Sequence, residues 1–599
     1  MPKKISNFRT TFKALAPILL NAIKSGQLFK PQCELTEPDP DILCEYDIEI
    51  PISEGFTVTA NVFRSKNAAA ADEKMPVVMC AHPYDNHLIP ALGKTPFGGP
   101  PQQYRLIPQY GKPVFSTLTS WESPDPNFWV PAGYAVVNMN LPGYSNSGGK
   151  PSVFSTHQAK CFYEAIEWIA SQPWCTGKVG LNGVSFLAIT QYHVAACQAY
   201  GGPPPSLCCI SPWEGIVSQY YDLMCRGGIP DIGFTAFWWP TELKPTINVP
   251  VAEFIEQEEG LPMDLLEKHP FYDKYWQDKT PKIEEITVPM LVCGSFSDHA
   301  LHSSASFRAF MKAKSKYKWI YTHRIGKWDA YYSPEVQNLT RDFFDCFVKG
   351  DTSNGFIDKP PVRLEVRSDF HTIYEVRHES AWPPADTNYQ RLYLDTATRT
   401  LVTEKPEESG EISYKATNET VVFSNLFKED TELSGYMKLR LWVEARPDGP
   451  GRRSPDDMSL FAAVNKLDQS GRDVNFMGSV GFKKDKVTRG LIRVSRRELD
   501  PDASTEWLPV LKHTSEMKLK PGEVVSVDIE MCPSSTFFSA GETLQLIIAS
   551  HDIVASPPYI KSLEGNFGRH VLHAGGVYDA NLLVPVIPNP GPPACDELS

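Results

Sequence analysis

Val179-Gly180-Leu181-Asn182-Gly183-Val184-Ser185-Phe186-Leu187 decides how this chain is read. A short apolar run closes on a glycine and a serine, and small and apolar residues at helical spacing follow at once. That order reads as a buried strand, a sharp turn and a helix. Such a turn lifts the Ser185 hydroxyl to the C-terminal edge of a sheet, with a helix N-terminus beneath it.

The runs on either side fit a sheet. Pro76–Ala81 and Tyr134–Met139 are short, apolar and bounded by turn residues, and Gln158–Ala170 carries Phe162, Ala165, Ile166 and Ile169 at helical spacing. Strands alternating with helices imply a mostly parallel sheet covered on both faces. The alternation resumes at Val288–Cys293 and Tyr317–Tyr321. In this setting the serine turn is the nucleophile elbow of α/β-hydrolases, normally Gly-x-Ser-x-Gly. Gly183 supplies the first glycine, whereas Leu187 and Ala188 stand at the second and third places after the serine.

A serine hydroxyl needs a base, and the base needs a carboxylate to orient it. In α/β-hydrolases the order along the chain is serine, acid, histidine, each on a loop after a strand. The strand ending at Cys293 leads into Gly294-Ser295-Phe296-Ser297-Asp298-His299, which puts Asp298 in the acid's place. The next strand ends at Thr322-His323, so His323 is the expected base, with His302 next in line. His299 also lies beside Asp298, and His82 and His87 flank the exit of the first strand. His570 and His573 fall in a β-rich region and read as structural. The Phe186 amide, opening the helix, is one donor for a developing oxyanion. Tyr84, in the loop after an early strand, offers a phenol but reads more readily as packing. No His-Glu-x-x-His or similar spacing occurs, so neither a metal nor another cofactor is expected.

The chain has 599 residues, enough for two or three domains. From 211 to 285 the segment is crowded with aromatics, among them Trp213, Tyr221, Trp238 and Trp239, and reads as a helical cap whose aromatics wall a substrate pocket. Beyond Asp351 the helices stop. Runs such as Val362–Val366, Leu439–Val443 and Leu544–Ile548 alternate between turns, which argues for a two-sheet β-sandwich. The expected division is therefore 1–210 and 286–355 for the α/β domain, 211–285 for the cap and 356–599 for the sandwich, with a loose Pro-rich tail from Pro588.

A formal charge of −13 argues against nucleic acid as a partner. No stretch is apolar and long enough to span a membrane, and the run around Phe12–Leu20, broken by Pro17, reads as an amphipathic helix rather than a secretory leader. Thirteen irregularly spaced cysteines suit free thiols in a reducing compartment, so a cytoplasmic enzyme is expected. The partner is then a small molecule, with homo-oligomerisation left open.

At this point the chain resembles the cocaine-esterase/X-prolyl dipeptidyl-peptidase family of serine hydrolases, the CocE/NonD hydrolases. The resemblance rests on Pro83-Tyr84, on Gly183-Val184-Ser185-Phe186-Leu187, and on Ser297-Asp298 with Leu301-His302. It extends through Lys318–His323, Lys327-Trp328, Tyr332-Ser333 and Phe343-Phe344-Asp345, and in the sandwich through Trp382-Pro383-Pro384, Arg496–Pro501 and Ala540-Gly541-Glu542. It implies an α/β-hydrolase domain with an inserted helical cap, followed by a C-terminal jelly-roll β-sandwich. It also implies Ser185 as nucleophile, Asp298 as acid, a histidine base, and Tyr84 as the phenolic oxyanion donor. The chain departs from the family in three places. The family elbow, Gly-x-Ser-Tyr-x-Gly, has Phe186 and Ala188 here. The Asp-x-Arg-Gly turn is Asn140-Leu141-Pro142-Gly143. The stretch near His323 differs from the Gly-Pro-Trp-x-His ending.

The expected activity is hydrolysis of an ester or amide of a small organic molecule through an acyl-enzyme on Ser185. Three other readings stay open. One is an acyltransferase or lactone-forming or lactone-opening enzyme. Another is an X-prolyl peptidase, which needs carboxylates for the peptide ammonium; Glu256, Glu258 and Glu259 are the candidates. The third is a non-catalytic binding protein on the same scaffold.

Overall fold

The computed structural model describes residues 7–92, 103–107, 111–479, 484–554 and 559–588. The Pro-rich tail after Pro588 lies outside the described residues. At its centre is a mixed sheet built from β1 (Ile42–Ile52), β2 (Phe56–Ser65), β3 (Met75–His82), β4 (Ala135–Asn140), β5 (Cys175–Val184), β6 (Leu207–Trp213), β7 (Met290–Ser295) and β8 (Lys318–His323). The strands lie in the order β1-β2-β4-β3-β5-β6-β7-β8. β1 and β2 run antiparallel to their neighbours, and the rest are parallel. Every residue of β3, β4 and β7 is buried. Apolar runs without alternation are what a parallel sheet covered on both faces requires.

One covering helix is α1 (Thr156–Ala170), which starts where the Ser155 hydroxyl accepts the Gln158 N–H and buries Phe162, Ala165, Ile166 and Ile169. Another is α2 (Phe186–Ala195), buried on all sides behind the serine turn. Asn7–Lys24 forms the expected N-terminal helix, with Ile18 and Ala22 buried.

Between Trp213 and Met290 the chain leaves the sheet and forms only short helical turns, such as Gln219–Met224, Phe234–Trp238 and Val251–Gln257. Phe154, Phe186, Trp238 and Phe234 pack ring on ring across the boundary of this segment. No helix among the described residues is long and apolar enough to cross a membrane.

Val362–Arg367, expected as a first sandwich strand, instead joins the α/β sheet as β9. It pairs in parallel with β8, Ile320 opposite Val362. Its alternation is real, but β8 offers it an open edge directly after the last helices. From there Arg367 meets Thr536, which links the sheet to the β-rich part.

The β-rich part is a two-sheet sandwich. In one sheet Lys438–Arg446 lies between Arg569–Ala574 and Val525–Glu530; in the other Thr543–Ala549 lies between Thr420–Leu426 and Ser459–Leu467. Leu439, Leu441, Val443, Leu460, Ala462, Val464, Leu544, Leu546 and Ile548 alternate inward and form its core.

Candidate active site

Ser185 follows β5 at φ 57° and ψ −114°, a region that a non-glycine residue enters only when its surroundings force it. The forcing contacts are visible. Its N–H donates to Trp213 O at 3.0 Å, and the neighbouring Val184 N–H donates to Glu122 O at 3.2 Å. Gly183 sits at φ 150°, where an added Cβ would lie 2.6 Å from Leu187 Cβ, so this first glycine is needed for space as well as conformation. The missing glycine further along is offset from the opposite side. A Cβ on Gly215 would fall 3.2 Å from Ala188 Cβ, so the glycine that lets the helix approach stands on the facing loop.

Asp298 and His302 lie on one turn after β7, four residues apart, and both are buried. His302 Nδ1 is 2.6 Å from Asp298 Oδ2, and His302 Nε2 is 3.3 Å from Ser185 Oγ. The turn is closed by the Asp298 carbonyl, which accepts the N–H groups of Leu301, His302 and Ser303. Burial alone would raise the Asp298 carboxyl, but the charge and hydrogen bond of His302, with Lys327 and His299, hold it below the usual range. Burial lowers the His302 ring, Lys327 lowers it further, and Asp298 and Glu214 act against both. The histidine is therefore neutral at pH 7, with Nδ1 oriented by a carboxylate and Nε2 turned to the serine.

The expectation that His323 serves Ser185 is corrected. His323 is still inside β8, paired with Ser295, and its carbonyl accepts the Phe296 N–H. Its ring stacks on Trp213 at 5.7 Å, and its Nε2 lies 2.9 Å from Glu214 Oε1. The strand end holds its side chain toward the end of β6, while the turn after β7 delivers His302 to the serine. The sequence carried a signal for this. Gly326-Lys327-Trp328-Asp329-Ala330 reads onto the family's Gly-Pro-Trp-x-His ending with Ala330 in the histidine's place. The Asp298-to-His302 spacing also fits one helical turn.

Tyr84 and Phe186 line the same cavity as Ser185 and His302. Burial, with Glu242 and Glu122 adding to it, pushes the Tyr84 phenol well above its usual pKa, so it stays a donor. His82, neutral because burial lowers it to about 3, accepts the Tyr84 N–H at Nδ1. The altered turn at Asn140 supports the same loop, for Asn140 Oδ1 accepts the Asn86 N–H at 2.9 Å and its amide donates to Thr59 Oγ1.

The cavity is walled by Trp121, Phe154, Phe234, Phe237, Trp238 and Trp328. Of the four aromatics expected there, only Trp238 lines it. Trp213 lies beneath, stacked on His323. Trp239 packs on Phe254 at 4.7 Å. Tyr221 lines a separate cavity and donates to Leu511 O. Sequence reasoning missed the polar end of the pocket. Glu122 is pushed up to about 7 by burial, with Lys327 and Trp328 acting against it, and Glu242 is pushed up to about 8 by burial and by Glu122. Glu256, Glu258 and Glu259 do not line the cavity. Glu258 is buried against Lys279 at 2.8 Å.

Fold and site together define an α/β-hydrolase with a serine elbow, an acid–histidine turn and an appended β-sandwich. Residues 54–329 match the family model of X-Pro dipeptidyl-peptidase (S15 family), and residues 354–583 match that of the X-Pro dipeptidyl-peptidase C-terminal non-catalytic domain. A solved CocE/NonD family hydrolase from Staphylococcus aureus is 34% identical and superposes with a TM-score of 0.80, over 94% of this chain and 100% of that one. The cocaine esterase of Rhodococcus sp. (strain MB1 Bresler) is 24% identical over 58% of this chain, and the match spans 62% of that protein, less than two thirds of its length. An aminopeptidase from a marine sediment archaeon, 14% identical with a TM-score of 0.65 over 92% of this chain and 97% of that one, shares the fold. The chain belongs to the CocE/NonD family of serine hydrolases.

Proposed function

We propose that this chain hydrolyses an ester or amide of a small, neutral, largely apolar molecule through an acyl-enzyme on Ser185. Ser185 Oγ attacks the carbonyl carbon as its proton passes to His302 Nε2, and Asp298 holds the ring through Nδ1. The Phe186 amide and the Tyr84 phenol donate to the oxyanion. His302 returns the proton to the leaving group, then draws one from water, and the second attack frees the acid. The observation that carries this reading is the Ser185–His302–Asp298 chain of contacts at 3.3 and 2.6 Å, opening on an aromatic cavity. Substrate neutrality rests on Glu242, largely protonated at pH 7, and on Glu122 lying against Lys327.

A fluorophosphonate probe tests the assignment. Wild-type protein should label at one site, Ser185→Ala should not label, and His302→Ala should lose about 10⁶-fold in kcat, whereas His323→Ala should still label. Labelling of Ser185→Ala would overturn the nucleophile assignment. An aryl- and acyl-ester panel of graded chain length then defines the substrate. A second reading, cleavage of a peptide with a free amino terminus, is favoured by Glu242 on the cavity wall, which an incoming ammonium would draw into its ionised form. Release of nitroaniline from an X-Pro nitroanilide would establish it. Free thiols at all described cysteines support a reducing, cytoplasmic setting as part of this proposal.

A further inference from the structure

His323 is displaced from the serine but still has a carboxylate partner. Glu214 follows β6 at φ 50°, fully buried, with one oxygen 2.9 Å from His323 Nε2. Its other oxygen, Oε2, is buried without a hydrogen-bond partner. A carboxylate oxygen of Glu214, one of Asp298 and a ring nitrogen of His302 all lie within 4.8 Å of one another. Two acid–histidine pairs thus abut at the strand ends, one from β7 and one shared by β6 and β8.

A buried carboxylate half without partners, on a residue held at positive φ, is costly in a way that packing alone does not explain. A metal shared with Asp298 and His302 does not account for it, since both ring nitrogens of His302 are engaged, one by Ser185 and one by Asp298. What the arrangement does explain is charge. In the resting site His302 is neutral. When Ser185 Oγ bonds to the substrate carbonyl carbon, its O–H bond breaks, an N–H bond forms at Nε2, and the ring becomes a cation in a dry site beside the Lys327 ammonium. Asp298 alone would have to offset both burial and that lysine.

We propose that Glu214 is a positioning residue of this site: a second carboxylate, held by His323, that steadies His302 and balances its charge when the ring takes the Ser185 proton. The proposal rests on the hydrolase reading above. Glu214 neither gains nor loses a proton in the step. The charged groups facing His302 are Asp298 on its own turn, Glu214 after β6 and Lys327 after β8, and the field of Glu214 opposes that of Lys327. Glu214 is in turn faced by His323 from β8, Cys293 from β7 and Glu122 from the connection between β3 and β4.

The test compares Glu214→Gln with wild type, following kcat and KM for a nitrophenyl ester from pH 4.5 to 8.5, with active sites counted by fluorophosphonate labelling. Expected are full labelling, KM within about twofold, kcat down about tenfold, and the acid limb of kcat/KM moved about one unit toward lower pH. A merely structural Glu214 would lower the count of active sites and leave the limb of the remaining ones in place, and that result overturns the proposal. If Glu214→Gln does not fold, Glu214→Asp decides. Its charge is kept but drawn back by one methylene, so the limb should move the same way by less than half as much; an unmoved limb overturns the proposal. Failure of the wild type to label sinks the hydrolase reading itself, whereas labelling with an unmoved limb sinks only the role of Glu214.

Discussion

In the proposed mechanism Lys327 sets the working range of His302 as base. Its ammonium lies 3.4 Å from Glu122 and, after burial, is the largest influence holding His302 below the ordinary histidine pKa. A lowered base stays neutral further into acid, so kcat/KM should be flat from pH 8 to below about 6.5 and fall only beyond that. Lys327→Met should return the limb toward about 6.5; a pH profile identical to wild type would refute the assignment. Stability follows the same sign. The unfolded ring takes its proton first, so the contribution is full above about 6.5 and is lost as pH falls through the window down to the folded value. Ser185 and Asp298 were legible because each closes an apolar strand run. His302 was not chosen, because the usual chain order gives the base its own strand. The substitution at Ala330 showed that the usual place was empty, and the four-residue spacing from Asp298 pointed to His302. Glu214 gave no sign in sequence, since its importance comes from strand ends that meet only in the sheet.

The elbow works as a three-part fitting of β5, α2 and the loop after β6. Gly183 leaves room for Leu187, and Gly215 leaves room for Ala188. Gly183→Ala should cost about 1–3 kcal/mol, read as a lower Tm, and reduce labelling as the serine leaves its strained conformation. Ala188→Gly, which restores the family pattern, should leave kcat within about twofold. If it raised kcat tenfold, Gly215 would not be the compensating residue. Strand identity was readable for β3, β4, β5, β7 and β8, where burial on both faces leaves apolar runs, but β1, β2 and β6 went unread, and β1 is only partly buried. The aromatic segment after β6 was readable only as crowded. Composition says that rings are present but not which way they point, so Trp238 could not be told from Trp239, its neighbour on the far side of the turn. For the same reason the alternation of Val362–Val366 identified a strand but not the sheet it joins.

At the scale of the whole molecule, the sandwich grips the loop that carries acid and base. Arg367, buried with its pKa drawn down to about 9 by desolvation yet still charged, donates to Phe296 O, Val487 O, Ser535 O and Ser534 Oγ. His299 meets Asp485 at 3.1 Å and the Ser479 N–H donates to Ser297 O, while Arg226, from the segment after β6, donates to the His299 carbonyl. Arg367→Met leaves those carbonyls without donors and should cost about 1–3 kcal/mol for the group lost. It should also lower kcat more than it raises KM, since the substrate cavity is lined by other residues. An unchanged kcat at a lowered Tm would show the contact to be stability alone. Acid and base thus share one short turn at the seam between the two halves of the chain. Strain arriving through the sandwich should therefore shift both against the serine together, while Tyr84 and Phe186 sit on other elements. On the proposed mechanism the seam would act as a throttle: sequence change in the distant half should alter how fast the pocket turns over, and should reach what it accepts only through Leu301 and His302.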